Sequence, residues 1–475
     1  MSCARAFPFS GAWVMGMLLA AIAASFLASS GPIQWMDNGV FLADASRGRF
    51  FADSLGPSSH PFYQLLSTLL YAGFGAQALS LMNSVLLIPL AGIVYALARN
   101  LGVARHLALL AAITTVLAHG VFWVSTKAEV YLLHSLFVLA AYALYFDTRL
   151  GLGTYGKLLL ISVLTGAAAA IHQLTFLVLL PLYVQMLLQW RARLWITLPG
   201  VLLGFAVAMP AIANDLTRGM SLLEIARRFL TGATPGTLEG AGALLRFDDM
   251  WHEKNAVALL MLSLMGPQLL GLLLFPRTRA LQLLWAAVLL NFIFAVSYNV
   301  VDRFTFFLPG VALASVLGVI QLSRRLPPDR LGATLLYLSP LAGPAALLTM
   351  WMIYANGLVK LPTHTEVLPF RNDIHYFMVP YLPDRSAEHF VLSYQSLLPE
   401  GSMILADRTP MGALRSAQAS GLLAGRTVAG CEQPRNLEDY LDGAGVFLPR
   451  TSFCGNLNAD YRLDPGLLGY RLQAR

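Results

Sequence analysis

Long apolar runs separated by short polar breaks dominate this chain, and the runs match a bilayer crossing rather than a core helix. A crossing needs about 20 apolar residues. Such runs fall near 12–31, 80–98, 106–123 and 130–146, then as a nearly continuous pair ending at Ile171 and Leu188. Others follow near 195–213, 255–275, 281–298, 305–322 and 333–354. The pattern predicts a polytopic α-helical membrane protein of about 11 spans, because a helix in lipid satisfies its own backbone polar groups. The first run is read as an uncleaved span, with no convincing small-x-small cleavage site after it. Residues 62–78 are apolar but short and broken by Gly73 and Gly75, which predicts a helix lying at or dipping into the interface.

Two polar stretches are too long to be simple turns, 33–61 and 214–254. Beyond about 356 the pattern changes again. Short β-like runs (402–407 and 445–449) alternate with helix-like stretches such as AEHFVLSYQSLL and NLEDYLDG. That predicts a small α/β domain over 356–475, behind a transmembrane region over 1–355. No solenoid or inverted repeat survives counting.

Composition agrees. Of 475 residues 57% are hydrophobic and only 12% charged, about half the charged fraction of soluble domains. The net charge of +7 does not call for nucleic acid, because the basic residues sit in ones and twos in alternate loops. Arg99 and Arg105, Arg149 and Lys157, Arg191 and Arg193, Arg277 and Arg279, and Arg324 and Arg325 lie on one side, with Asp147 and Asp329 as the acids among them. By the positive-inside rule the N-terminus is expected in the cytoplasm of an inner (plasma) membrane protein. Both long loops and the C-terminal domain are then expected on the extracytoplasmic, periplasmic side. Three cysteines without a CxxC spacing exclude a cysteine-rich zinc module. Outside the cell, Cys431 and Cys454 are candidates for a disulfide, with two free thiols as the competing reading.

The candidate chemistry lies at the outer span ends. Asp37, just past the first span, is the first candidate for an acid–base group, against a competing role capping an interfacial helix with Asn38-Gly39 as a turn. Asp44 and Asp53 read as solvated loop charges, and Arg47 and Arg49 as phosphate ligands or interfacial arginines. His60-Pro61 opens the next helix. Lys127, Glu129, Tyr131 and His134 form a polar cluster where spans three and four join, the last three on one helical face. His172-Gln173 marks the junction of spans five and six. Asp302 and Arg303 lie in the short link between spans nine and ten.

An Asp-x-Gly after the first span, a His-Pro before the second, FWVSTKAEVYLLHSLF, GAAAAIHQLTFLVLLP and YNVVDRFTFFLPG occur here in that order. In this order the chain resembles the protein O-mannosyltransferase-like family of the GT-C superfamily of membrane glycosyltransferases, over most of residues 30–410. It departs where Val40 replaces an acidic residue, where Phe62 and Tyr63 replace a second Pro and a Gly, and in the His172-Gln173 register.

The resemblance implies a polyprenyl-phosphate-linked sugar donor and a protein, lipid or glycan acceptor. Asp37 is then the general base of an inverting displacement. Glu129 and His60 shape the pocket, with Tyr131, His134, His172 and Asp302 as further substrate-binding candidates. Arg303, Arg47 or Lys127 would stabilise the leaving phosphate. Some superfamily members need a divalent cation, so Mg or Mn held by Asp37 and a second carboxylate is a further expectation, although no spacing demands it. The rival reading is a non-enzymatic transporter or scaffold for lipid-linked sugars, which would place ionisable or Gly/Pro-broken residues mid-span.

Overall fold

A computed structural model describes residues 10–48, 60–231, 247, 254–360, 368–431, 437–466 and 468–475. The chain begins with α1 (Ser10–Ala28), α2 (Met36–Ser46) and α3 (Pro61–Asn100). Next come α4 (Arg105–Val116), α5 (His119–Ser125), α6 (Tyr131–Phe146), α7 (Thr154–Ile171) and α8 (Thr175–Trp190). After them lie α9 (Thr197–Phe205), α10 (Met209–Thr217), α11 (Leu222–Thr231), α12 (Lys254–Leu262) and α13 (Pro267–Leu273). The bundle closes with α14 (Arg279–Ser297), α15 (Leu308–Ser323), α16 (Arg330–Leu338) and α17 (Ala342–Ala355).

Among the described residues seven helical segments are long and apolar enough to cross a membrane. The other expected spans correspond to two bent pairs, α4 with α5 (65°) and α12 with α13 (111°), and to the shorter apolar helices α6 and α8. The protein is a polytopic helical membrane protein. Its centre is the segment Arg303–Ser323, 94% buried, whereas Arg193–Thr217 (17%) and Arg330–Ala355 (22%) present their sides outward, as lipid-facing helices do. Without a hydrophobic drive between helices in lipid, small residues set the closest approaches. Added β-carbons at Gly166 of α7 and Gly204 of α9 would stand 2.1 Å and 2.0 Å from backbone oxygens of the facing helix.

The segment expected as a separate interfacial helix at 62–78 runs into the second span. The helix α3 covers 40 residues, about 60 Å at 1.5 Å per residue, or twice the hydrocarbon thickness. Gly75 (φ 78°, ψ −177°) breaks it, at one of the glycines read as its weak point.

The C-terminal region contains α18 (Asp373–Met378), α19 (Ser386–Leu397), β1 (Met403–Ala406), α20 (Arg408–Ala419) and β2 (Thr427–Gly430). Then come α21 (Leu437–Leu441), β3 (Val446–Leu448), α22 (Leu457–Asp460), β4 (Tyr461–Gly466) and β5 (Gly469–Ala474). The sheet order is β2-β1-β3-β5-β4; β1 pairs in parallel with β2 and β3, and β5 antiparallel with β3 and β4. Cys431 and Cys454 are joined in a disulfide with Cα atoms 5.5 Å apart, inside a small core that includes Leu405, Val446 and Leu472.

This domain is fastened to the bundle through α2. An added β-carbon on Gly39 would lie 2.3 Å from the Gly412 carbonyl carbon, and one on Gly412 would lie 1.9 Å from the Met36 oxygen. The α2 and α20 backbones therefore touch. The expected Asn38-Gly39 turn is instead helix, and Gly39 is small because another helix lies on it. Trp35 adds a hydrogen bond from Nε1 to Ser386 Oγ (2.8 Å) and packs on Phe390 (5.0 Å).

Candidate active site

The two halves of the chain meet over the end of the bundle where α2, the α5–α6 link, the α7–α8 link and the α14–α15 link come together. Asp37 lies exposed in the first turn of α2, where a carboxylate is favoured by the helix dipole. The N-cap position belongs to Trp35, and Asp37 makes no side-chain hydrogen bond among the described residues. Its carboxylate is therefore not spent on capping. It acts through space on His60, Glu129, Asp302 and Tyr298.

His60 immediately precedes Pro61 in the left-handed region (φ 58°, ψ 54°), a conformation costing a non-glycine residue about 1–2 kcal/mol. That backbone aims the ring at Ile171, whose carbonyl accepts from Nδ1 at 2.6 Å. Nε2 is left as the basic nitrogen. The His60 ring stacks on His172 (5.3 Å, 16°), and His172 in turn meets Tyr131 at 5.3 Å and His134 at 5.7 Å. His172 Nδ1 accepts from the Leu174 amide at 3.1 Å. Burial holds both His60 and His172 below the usual imidazole range, and for His60 the Ile171 carbonyl and Asp37 oppose the effect. Thr175 Oγ1 donates to the His172 carbonyl (2.8 Å), so His134 Nε2 donates to Thr175 Oγ1 (2.9 Å).

The turn carrying Lys127 and Glu129 is held from both sides. Asn83 of α3 donates to the carbonyls of Lys127 and Glu129, each at 2.7 Å, while Gln34 accepts from the Ala128 amide at 3.0 Å. Glu129 is buried, and burial, Asp302 and Asp37 push its carboxyl well above the usual range, against the Val130 amide and Lys127. Asp302 is pushed up to about 6 by burial and then by Asp37; Arg408 and Arg303 oppose this. Burial brings the Lys127 ammonium down to about 8, with Arg371 reinforcing the effect and Asp384 and Glu129 opposing it.

Asp37, His60, Glu129 and Asp302, together with Lys127, Tyr131, His134 and His172, thus form one neighbourhood. Two other predicted cations are occupied differently. Arg303, 1% exposed, directs Nε to the Val300 carbonyl, one terminal nitrogen to Val296 O and the other to Asn299 Oδ1, at 3.0–3.2 Å. It fastens its own loop. Arg47 pairs with Asp44 at 3.5 Å, ten residues from Asp37, or about 15 Å along the helix. Arg49 and Asp53 lie outside the described residues, as does most of the 214–254 loop beyond Thr231.

Sequence reading did not single out Arg371, Tyr376, Asp384 and Arg408. They come from the segment after the last span, and nothing in that polar tail distinguishes them from solvated residues. The structure draws them in through Trp123 Nε1, which donates to Tyr376 O (2.7 Å), through His119 Nε2 at 2.6 Å from Phe377 O, and through the α2–α20 contact. Hard divalent cations require converging oxygen ligands. Among the described residues no three His, Cys, Asp or Glu side chains gather as such a set.

No family model matches the chain, and no curated protein does. Among solved structures it is similar to ArnT from Cupriavidus metallidurans bound to undecaprenyl phosphate, with a TM-score of 0.59 at 14% identity over 97% of both chains. The apo state of the same protein gives 0.57. The Archaeoglobus fulgidus oligosaccharyltransferase gives 0.48 at 13% identity, over 89% of this chain and 64% of that one. The likeness to ArnT is one of fold. What the two share is a polytopic helical bundle with a small sheet domain.

Proposed function

We propose that the protein is a membrane glycosyltransferase moving a sugar from a polyprenyl-phosphate donor to an acceptor hydroxyl on the extracytoplasmic face. The observation that carries this reading is the convergence of an exposed, uncapped Asp37 with His60, Glu129 and Asp302 at one end of the bundle. Ionisable groups confined to one end suit chemistry at the membrane surface, whereas a carrier needs them near the middle of the span. ArnT's capture with undecaprenyl phosphate supports a lipid-phosphate donor, carrying a mannose-like hexose or another sugar. By charge asymmetry of the loops, the N-terminus is cytoplasmic and the C-terminal domain lies outside.

In the proposed step the acceptor oxygen attacks the anomeric carbon as the bond from that carbon to the phosphate oxygen breaks. The phosphate leaves with the bonding pair, and the hydroxyl proton passes to the Asp37 carboxylate. Glu129, driven toward its neutral acid, serves as a hydrogen-bond donor to a sugar oxygen. Of the predicted cations Lys127 lies in this neighbourhood and keeps protons beyond its bond to Thr126 to meet the developing phosphate charge. The test is transfer by the purified protein from a panel of polyprenyl-phosphate sugars, with the anomeric configuration of the product read by NMR. An inverted product supports the reading. Retention, or no transfer from any donor, defeats it.

A further inference from the structure

Lys127 and Arg371 come from segments 244 residues apart, yet both lie against the ring of Tyr376. Lys127 Nζ is 5.0 Å and Arg371 Cζ 4.2 Å from the centroid of the Tyr376 ring. Both residues are buried, at 3% and 7% exposure. Two cations buried side by side are costly unless their protons and charge are answered. Inside the protein they are answered only in part. Arg371 gives Nε to Asp373 Oδ1 at 2.5 Å and lays one terminal nitrogen 3.8 Å from Met36 Sδ, while its other terminal nitrogen, buried, bonds nothing among the described residues. Lys127 gives one proton to Thr126 Oγ1 (3.2 Å). No carboxylate reaches ion-pair distance of it among the described residues; Asp384 and Glu129 act on it only through space. The buried Tyr376 hydroxyl also has no hydrogen-bond partner there.

We propose that Lys127, Arg371 and Tyr376 form an anion subsite that takes a phosphate group. Spare N–H protons on an ammonium and a guanidinium, with one phenol O–H, match the several acceptor oxygens of a phosphate, and a guanidinium fork favours that geometry. The place fits the chemistry. Arg371 packs on Trp35 (5.4 Å) and against Met36, the two residues before Asp37. A phosphate held there sets whatever is esterified to it beside the Asp37 carboxylate. The fork comes from the segment between the last span and the sheet domain, so that segment is part of the site and not a passive tether. This inference rests on the lipid-phosphate donor assigned above, and it adds Arg371 and Tyr376 as the groups that hold that donor's charge.

The experiment measures binding, so it stands apart from any transfer assay. The full chain in nanodiscs is titrated with undecaprenyl phosphate, with undecaprenol, and with inorganic phosphate as competitor. Undecaprenyl phosphate should bind more tightly than undecaprenol. Arg371→Ala should weaken it by about tenfold or more, with Arg371→Lys recovering part of the loss. Tyr376→Phe, which removes only a hydroxyl, should weaken it two- to fivefold, about the loss of one hydrogen bond, and covers the case in which Arg371→Ala does not fold. Displacement by millimolar inorganic phosphate would show that a free anion satisfies the site. No displacement would show that the site requires the lipid-borne form, and either result supports an anion subsite if the variants behave as stated. Equal binding by wild type, Arg371→Lys and Tyr376→Phe, or equal binding of undecaprenol, overturns it. Intact binding with no sugar transfer would defeat the catalytic reading and leave the subsite standing.

Discussion

Gly412→Ala tests whether the sheet domain positions Asp37, the proposed base. The new β-carbon would stand 1.9 Å from the Met36 oxygen and 2.7 Å from the Met36 nitrogen, where ordinary contact begins at 3.4 Å. Both partners are backbone, so no side chain can swing away. The helices must part by the difference between 3.4 Å and 1.9 Å, which is 1.5 Å. Overpacking of this kind costs about 1–3 kcal/mol, and the moving element carries Asp37 one residue from the clash. Misplacement of a reacting group by about 1 Å can cost about 10²-fold in rate. Hydrogen exchange should therefore report amides of α2 opening about 5- to 150-fold more readily, while α6 is unchanged. Sugar transfer should fall by about one to two orders of magnitude. Gly455→Ala, with nothing within 4 Å of the new carbon, should do neither. Unchanged α2 protection together with near-normal transfer in Gly412→Ala would refute the idea that α20 sets the position of Asp37.

Burial and Asp37 move the Asp302 carboxyl up to about 6. The same upward shift means the fold favours protonated Asp302, so its stabilising contribution is lost as pH rises from about 4 to above 6. Asp302→Asn should accordingly raise stability at pH 8 by about 1–2 kcal/mol, a figure discounted because the side chain is only half-buried, and leave it unchanged near pH 4, as thermal unfolding at the two pH values would show. Undecaprenyl phosphate binding should weaken as pH rises through about 8, where Lys127 loses its charge, which a titration series resolves. Replacing Cys431 and Cys454 by serine opens a loop spanning 23 residues and should destabilise the sheet domain by about 3 kcal/mol, seen as earlier proteolysis of that domain.

The bundle was legible because each crossing imposes its own run of apolar residues. The sheet domain was legible for a similar reason, since Met403–Ala406 and Val446–Leu448 are short apolar strands between polar turns. What joins the two halves was not. Gly39 carries the information that a second helix backbone lies upon it, yet in sequence an Asn-Gly pair is indistinguishable from a turn. Asp37, His60, Lys127, Glu129, His172 and Asp302 stand out in sequence because they are polar breaks beside apolar runs on the side opposite the basic pairs, and the structure gathers them in one neighbourhood. Arg303 was equally conspicuous, but its orientation toward the carbonyls of Val296 and Val300 has no signature in residue type. Arg371 was hidden for the opposite reason. In a polar tail one more arginine attracts no notice until Trp35 and Tyr376 are seen to bury it.

The most direct measurement is sugar transfer by Asp37→Asn, with undecaprenyl phosphate binding measured on the same preparation. Removing a general base costs about 10²–10⁴-fold, so transfer should fall by that amount while binding stays at the wild-type level. Transfer at the wild-type rate by a folded, lipid-binding Asp37→Asn protein would contradict the account.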